Sequence, residues 1–192
     1  MSHLDVDAGQ LQPGALREFV AGTLIMVPTE TANAPGPFWA LRFDTQNEDG
    51  VVPCVLWLNG MPWHGTESPF YGMPLGGSSY GDMRGVACGL ASIEIDMSSG
   101  AGRAGREMRW DQSPGFIAAG ERGKFLLAAK PGRNSMWGAH YAIDLGAWAE
   151  VDDAYRDAPV EWFSRWNIVI QTKRGAVVMA FEARSKAAGR GA

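Results

Sequence analysis

Cysteine is nearly absent from this chain of 192 residues, with only Cys54 and Cys88 present. Two cysteines in a chain this long make no disulfide framework, and both fall inside expected strands, so both should be buried free thiols. Histidine is scarce too: His3, His64 and His140 are the whole supply. None lies four residues from another and no CxxC pair occurs, which removes the spacings that usually hold a metal. No metal and no cofactor is therefore expected. Apolar runs fall short of the ~20 residues that a membrane-spanning helix needs. Positive charge is sparse as well, since 17 Lys and Arg stand against 21 Asp and Glu for a net charge of −4. A nucleic acid partner would need a dense basic face, so none is expected. The cluster Arg184, Lys186 and Arg190 sits in an Ala/Gly-rich stretch and reads as a frayed tail. The acidic, polar start lacks the apolar segment of a secretory signal, and no Asn-x-Ser/Thr site occurs. A cytoplasmic protein without membrane contact is expected.

Glycine and tryptophan, by contrast, are abundant, at 25 and 8 residues, and 46% of the chain is hydrophobic. That composition supports a core, and the glycines suit short strands joined by tight turns better than long helices. With no repeat and no linker, the chain divides into an extended arm (residues 1–15), one β-rich domain (16–184) and a flexible tail (185–192).

The pattern of alternation is clearest over residues 38–44. There Trp39, Leu41 and Phe43 fall on one face and Ala40, Arg42 and Asp44 on the other. Asp49-Gly50 supplies a hairpin turn, and residues 51–58 return, with Pro53 suggesting an edge or a bulge. Residues 16–27 end in an apolar β-rich run that Pro28 stops, and further strands are expected at 89–96, 115–119, 124–130, 136–144, 167–172 and 176–183. Asp157 and Pro159 suggest the start of a helix carrying Trp162 and Trp166 on one face. The fold class is mainly β: an antiparallel sandwich or barrel with one or two short helices. Residues 60–85 interrupt the rhythm with no clear strand, seven glycines, three prolines and several aromatics. Long loops of that kind usually carry function.

Two motifs lose to plainer readings. Residues 77–81 (GSSYG) match the nucleophile elbow G-x-S-x-G, but a strong strand before it and a helix after it are both missing. Residues 100–105 (GAGRAG) match G-x-G-x-x-G, but no helix and no βαβ unit can follow. Trp39, Trp137 and Trp162 lie on core faces, whereas Trp57, Trp63, Trp110 and Trp148 fall in or near loops and strand ends.

The candidate site therefore gathers around the long loop. His64, beside Trp63 and three residues before Glu67, has the pKa of a general acid or base. His140 shares a strand face with Gly138, Ala142 and Asp144, opposite the core face of Tyr141 and Ile143. Tyr71, Tyr80 and Asp82 complete the set: aromatics for planar contact and a carboxylate for hydrogen bonding. The expected function is binding of a small molecule, with acid–base catalysis by His64 or His140 if the protein is an enzyme; the residues do not decide that question. Two alternatives share the features. One is an assembly subunit whose aromatic loops and arm contact other copies in a homo-oligomer. The other is a carbohydrate-binding module, which the lack of a secretion signal disfavours.

Overall fold

The hairpin expected at residues 38–58 is the centre of the molecule. The computed structural model describes residues 12–28, 37–60, 70–76, 79–100, 114–130, 140–151, 160–172 and 175–183. The strands, in chain order, are β1 (Gln12–Ala15), β2 (Thr23–Val27), β3 (Phe38–Asn47), β4 (Gly50–Trp57), β5 (Tyr71–Pro74), β6 (Arg84–Ile95) and β7 (Ile117–Gly120). They continue with β8 (Gly123–Ala129), β9 (His140–Asp144), β10 (Ala149–Glu150), β11 (Val160–Phe163), β12 (Arg165–Thr172) and β13 (Gly175–Glu182). Helix is confined, among the described residues, to three single 3₁₀ turns at Leu16–Glu18, Ser79–Asp82 and Met97–Ser99. The protein is mainly β, with a sandwich- or barrel-like sheet. No helix among the described residues is long and apolar enough to cross a membrane.

All these strands join in one hydrogen-bonded sheet. β3 pairs with β4, β4 with β5, β5 with β8, β8 with β9 and β9 with β10. β10 then pairs in parallel with β3 through Ala149 and Asp44, so the pairings return to their start. On the other side of β3, the sheet runs through β2 and β6 to β12 and β13. β6 makes that turn by a bulge. Its register against β2 slips between Leu24 and Ile25, and Gly89 there adopts φ +137°, which a Cβ would resist.

The alternation of β3 decides what the sheet encloses. Leu41 and Phe43 point inward with Cys54 and Leu56 of β4, Ile143 of β9 and Ile168 of β12. The opposite face is buried as well. Ala40, Val55 and Trp57 pack there under Leu16 and Leu75, with Phe19, Tyr80 and Met83 at the margin. A third cluster, of Phe116, Ala118, Leu127, Trp162 and Ala183, covers the outside of β7 and β8.

Several expectations need correction. The helix expected from Asp157 and Pro159 fails in its described part, because Trp162 lies in β11 and Trp166 in β12. Ser164 separates these strands, and β11 pairs with β7 while β12 pairs with β6 and β13. The two tryptophans enter different clusters rather than sharing a face. Four-residue spacing suits a helix face, but two successive strands of apolar and β-branched residues satisfy the same letters. Residues 60–85 are not strandless, since β5 and the start of β6 lie within them. Gly72 and Pro74 hid β5 by their low strand propensity. Gln12–Ala15, read as arm, pairs with β6. Pro53 lies neither on an outer strand nor at a slip of register: it faces Asp44 in an unbroken ladder. Trp57 is fully buried rather than a loop aromatic.

Candidate functional site

Tyr141 points into the ring because β9 alternates, with Tyr141 and Ile143 buried and His140, Ala142 and Asp144 half-buried on the other side. Its ring meets Phe43 edge-on at 5.1 Å between centroids. It also lies against the bare backbone of Gly72, which leaves the space a side chain would fill. Lys130, one residue beyond β8, sets its ammonium 4.5 Å from the centroid of the same ring. Lys130 Nζ also donates to Glu150 Oε1 at 2.9 Å, and Thr45 Oγ1 donates to Glu150 Oε2. The side chains of Lys130 and Glu150 are 36% and 20% exposed, so the pair sits at the mouth of the ring.

Below that pair, Cys54 hydrogen-bonds the Tyr141 hydroxyl and its thiol donates to Val52 O at 3.7 Å. Burial pushes the Cys54 thiol up to about 12, outweighing the nearby Arg42 guanidinium, which pulls it down. Tyr141 is raised as well, first by burial and then by Cys54 and Glu150. Both groups therefore keep their protons at neutral pH, as hydrogen-bond donors rather than as a nucleophile or base. Arg42, on the far face of β3, is buried and paired with Asp44 at 2.7 Å. Its guanidinium also donates to the carbonyls of Phe43 and, at 3.4 Å, Cys54. Lys130 and Glu150 oppose one another in charge, so the mouth offers a paired charge and hydroxyls instead of one net sign.

The expected site residues divide. Trp63, His64 and Glu67 lie outside the described residues. Tyr71 and Tyr80 both pack at the edge of the second cluster, outside the ring, and burial raises the Tyr71 pKa. Tyr71 pairs with Ala129, and Ala129 with His140, so these three side chains share one outward face with the small alanine between the rings. Asp82 is exposed and pairs with Arg17. Asp144 caps its own turn, accepting N–H bonds from Gly146 and Ala147 at 2.7 Å each. Of the two weighed motifs, Ser79–Asp82 forms a single turn that leads into the strand β6, without the helix an elbow requires. Gly100 bridges to Phe163, and residues 101–105 lie outside the described residues.

Sequence reasoning missed Thr45, Lys130 and Glu150, and treated Cys54 and Tyr141 only as core. One signal was available: on the period-two alternation of residues 124–130, Lys130 falls on the same face as Leu126 and Ala128. Thr45 and Glu150, 105 positions apart, carried none. The chain matches no protein-family model, no curated protein and no solved structure.

Proposed function

We propose that the protein binds a small, partly apolar molecule at the mouth of the strand ring, with Lys130, Glu150, Thr45 and Tyr141 as its polar contacts. The observation that carries this reading is the partly exposed Lys130–Glu150 pair, bonded to Thr45 and set beside largely apolar inward side chains. An ion pair and a hydroxyl held at such a place lose solvation that a surface position would keep. A ligand that hydrogen-bonds them while resting on the Tyr141 face gains from both features. Ligand binding in barrel-like folds commonly uses such a mouth, and the packed interior below confines the molecule to it. The protonated thiol and phenol support binding over nucleophilic chemistry. Acid–base catalysis by His140 would act from the opposite strand face.

A thermal-shift screen of small metabolites, followed by native mass spectrometry, tests the reading. The expected result is a compound whose stabilising shift survives His140→Ala and disappears in Lys130→Ala and Glu150→Gln. A compound that binds equally well to the Lys130 and Glu150 variants would place the site elsewhere. One lost only in His140→Ala would favour the outer face of Tyr71, Ala129 and His140.

A further inference from the structure

We infer that Asp49 is a site of spontaneous modification, where attack by the Gly50 nitrogen isomerises the chain to isoaspartate, and that the fold withholds the same chemistry from Asn59. Ring closure of this kind needs a carboxyl or amide side chain that can reach the next main-chain nitrogen. A glycine in the next position allows it best, because it has no Cβ to obstruct the approach. The chain has one Asp-Gly pair, Asp49-Gly50, and one Asn-Gly pair, Asn59-Gly60. By residue type alone Asn59 should react first, since an amide loses ammonia more readily than a carboxylate loses water.

The structure reverses that order. Asp49 is exposed in the short link between β3, which ends at Asn47, and β4, which begins at Gly50. Nothing among the described residues bonds its carboxylate; its main-chain N–H donates to Asn47 Oδ1 at 2.9 Å, an Asx turn that leaves the Asp49 side chain free to rotate. Gly50 has φ +122°, and a Cβ built on it would meet nothing within 4 Å. Its pairing with Asn47 is the last of the β3–β4 ladder, where local opening costs least. Asn59 is exposed as well, but both polar atoms of its side chain are held. Oδ1 accepts from the Trp39 N–H at 2.8 Å, and Nδ2 donates to Pro37 O at 3.1 Å. Gly60 beside it is buried. Turning the Asn59 amide carbon onto the Gly60 nitrogen would break both bonds, which slows closure by ~10-fold or more.

The step needs no co-reactant beyond water. The Gly50 nitrogen bonds to Asp49 Cγ; the carboxyl gives up its OH and the nitrogen its hydrogen, and the two leave as water. A five-membered succinimide results, and water then opens it at either carbonyl. Opening at the side-chain carbonyl restores aspartate. Opening at the main-chain carbonyl routes the chain through the Asp49 side chain and frees its α-carboxylate. That product adds a methylene to the backbone of a link whose length sets the hairpin register, so it disrupts the closing pair of Asn47 and Gly50. The freed carboxylate stands on an exposed turn, so the partner it fits is a methyltransferase that esterifies isoaspartyl carboxylates in folded chains.

Incubation of the full native chain for weeks at neutral pH and physiological temperature tests this. The readouts are peptide mapping and methyl transfer from S-adenosylmethionine by an isoaspartyl methyltransferase. The expected result is isoaspartate at position 49 with unchanged mass, and methyl acceptance that rises with it. Asn59 should deamidate at least ~10-fold more slowly than in the urea-denatured chain. Asp49→Glu, whose ring would have one more member, should remove most of the methyl acceptance without changing the melting temperature. An unmodified position 49 would overturn the inference, as would methyl acceptance that survives Asp49→Glu. So would an Asn59 that deamidates as fast in the native chain as in the denatured one.

Discussion

Tyr141 rests directly on Gly72: a Cβ built on that glycine would stand 2.5 Å from Tyr141 Cδ2 and 3.4 Å from Phe43. The contact fixes the ring that forms the floor of the mouth. Gly72→Ala is therefore expected to cost ~1–3 kcal/mol through overpacking, read as a lower denaturant midpoint. The cost should persist in a Tyr141→Phe background, since the ring stays. An unchanged midpoint would mean that the ring does not occupy that place.

Cys54 and Cys88 are unpaired and buried, and burial raises their thiols from 9.0 to about 12 and about 11. In the folded protein both should react slowly with a thiol reagent at pH 8, and both quickly after denaturation. The linkage has a definite sign. A folded pKa above the unfolded one means that the native state holds the extra proton, so this contribution is complete below pH 9. It is lost as pH rises through about 11 and then about 12. Denaturation curves at pH 8 and pH 10.5 should show lower stability at the higher pH, and Cys88→Ala should reduce the difference. A difference of the opposite sign would contradict the burial of these thiols.

Lys130 and Glu150 should show weak coupling despite their place at the mouth. Their partial exposure leaves solvent screening in force, so a double-mutant cycle with Lys130→Met and Glu150→Gln should return ~0.2–1 kcal/mol. Added salt should shrink it. A coupling well above that range would show the pair to be a main support of the fold, and would weaken the binding reading.

Trp162 and Trp166 belong to separate clusters, so their losses should add. Trp166→Phe removes the bond from Nε1 to Gly115 O at 2.7 Å and leaves a buried carbonyl short of a partner. It is expected to cost ~1–3 kcal/mol more than a conservative ring exchange. Trp162→Phe and Trp166→Phe together should equal the sum of the two within ~0.5 kcal/mol. Marked non-additivity would point to the shared helical face that the sequence suggested.

Local chemistry determined much of this protein. Period-two alternation in β3 and β9 assigned Leu41, Phe43, Tyr141 and Ile143 to the core, and Asp49-Gly50 and the turn of residues 120–123 placed two hairpins. Such signals are legible because strand alternation and turn dihedrals depend on neighbours in the chain. Only the tertiary structure decided the rest. It separated Trp162 from Trp166 by bending the chain at Ser164, and it hid a strand at Tyr71–Pro74 behind glycine and proline. It turned Tyr71, Tyr80 and His140 outward, and it carried Glu150 back to Thr45 across the closing pair of Ala149 and Asp44. That closure rests on pairing between strands more than a hundred residues apart. No local pattern encodes it, because the free energy that selects it comes from a core that exists only once the sheet has curled.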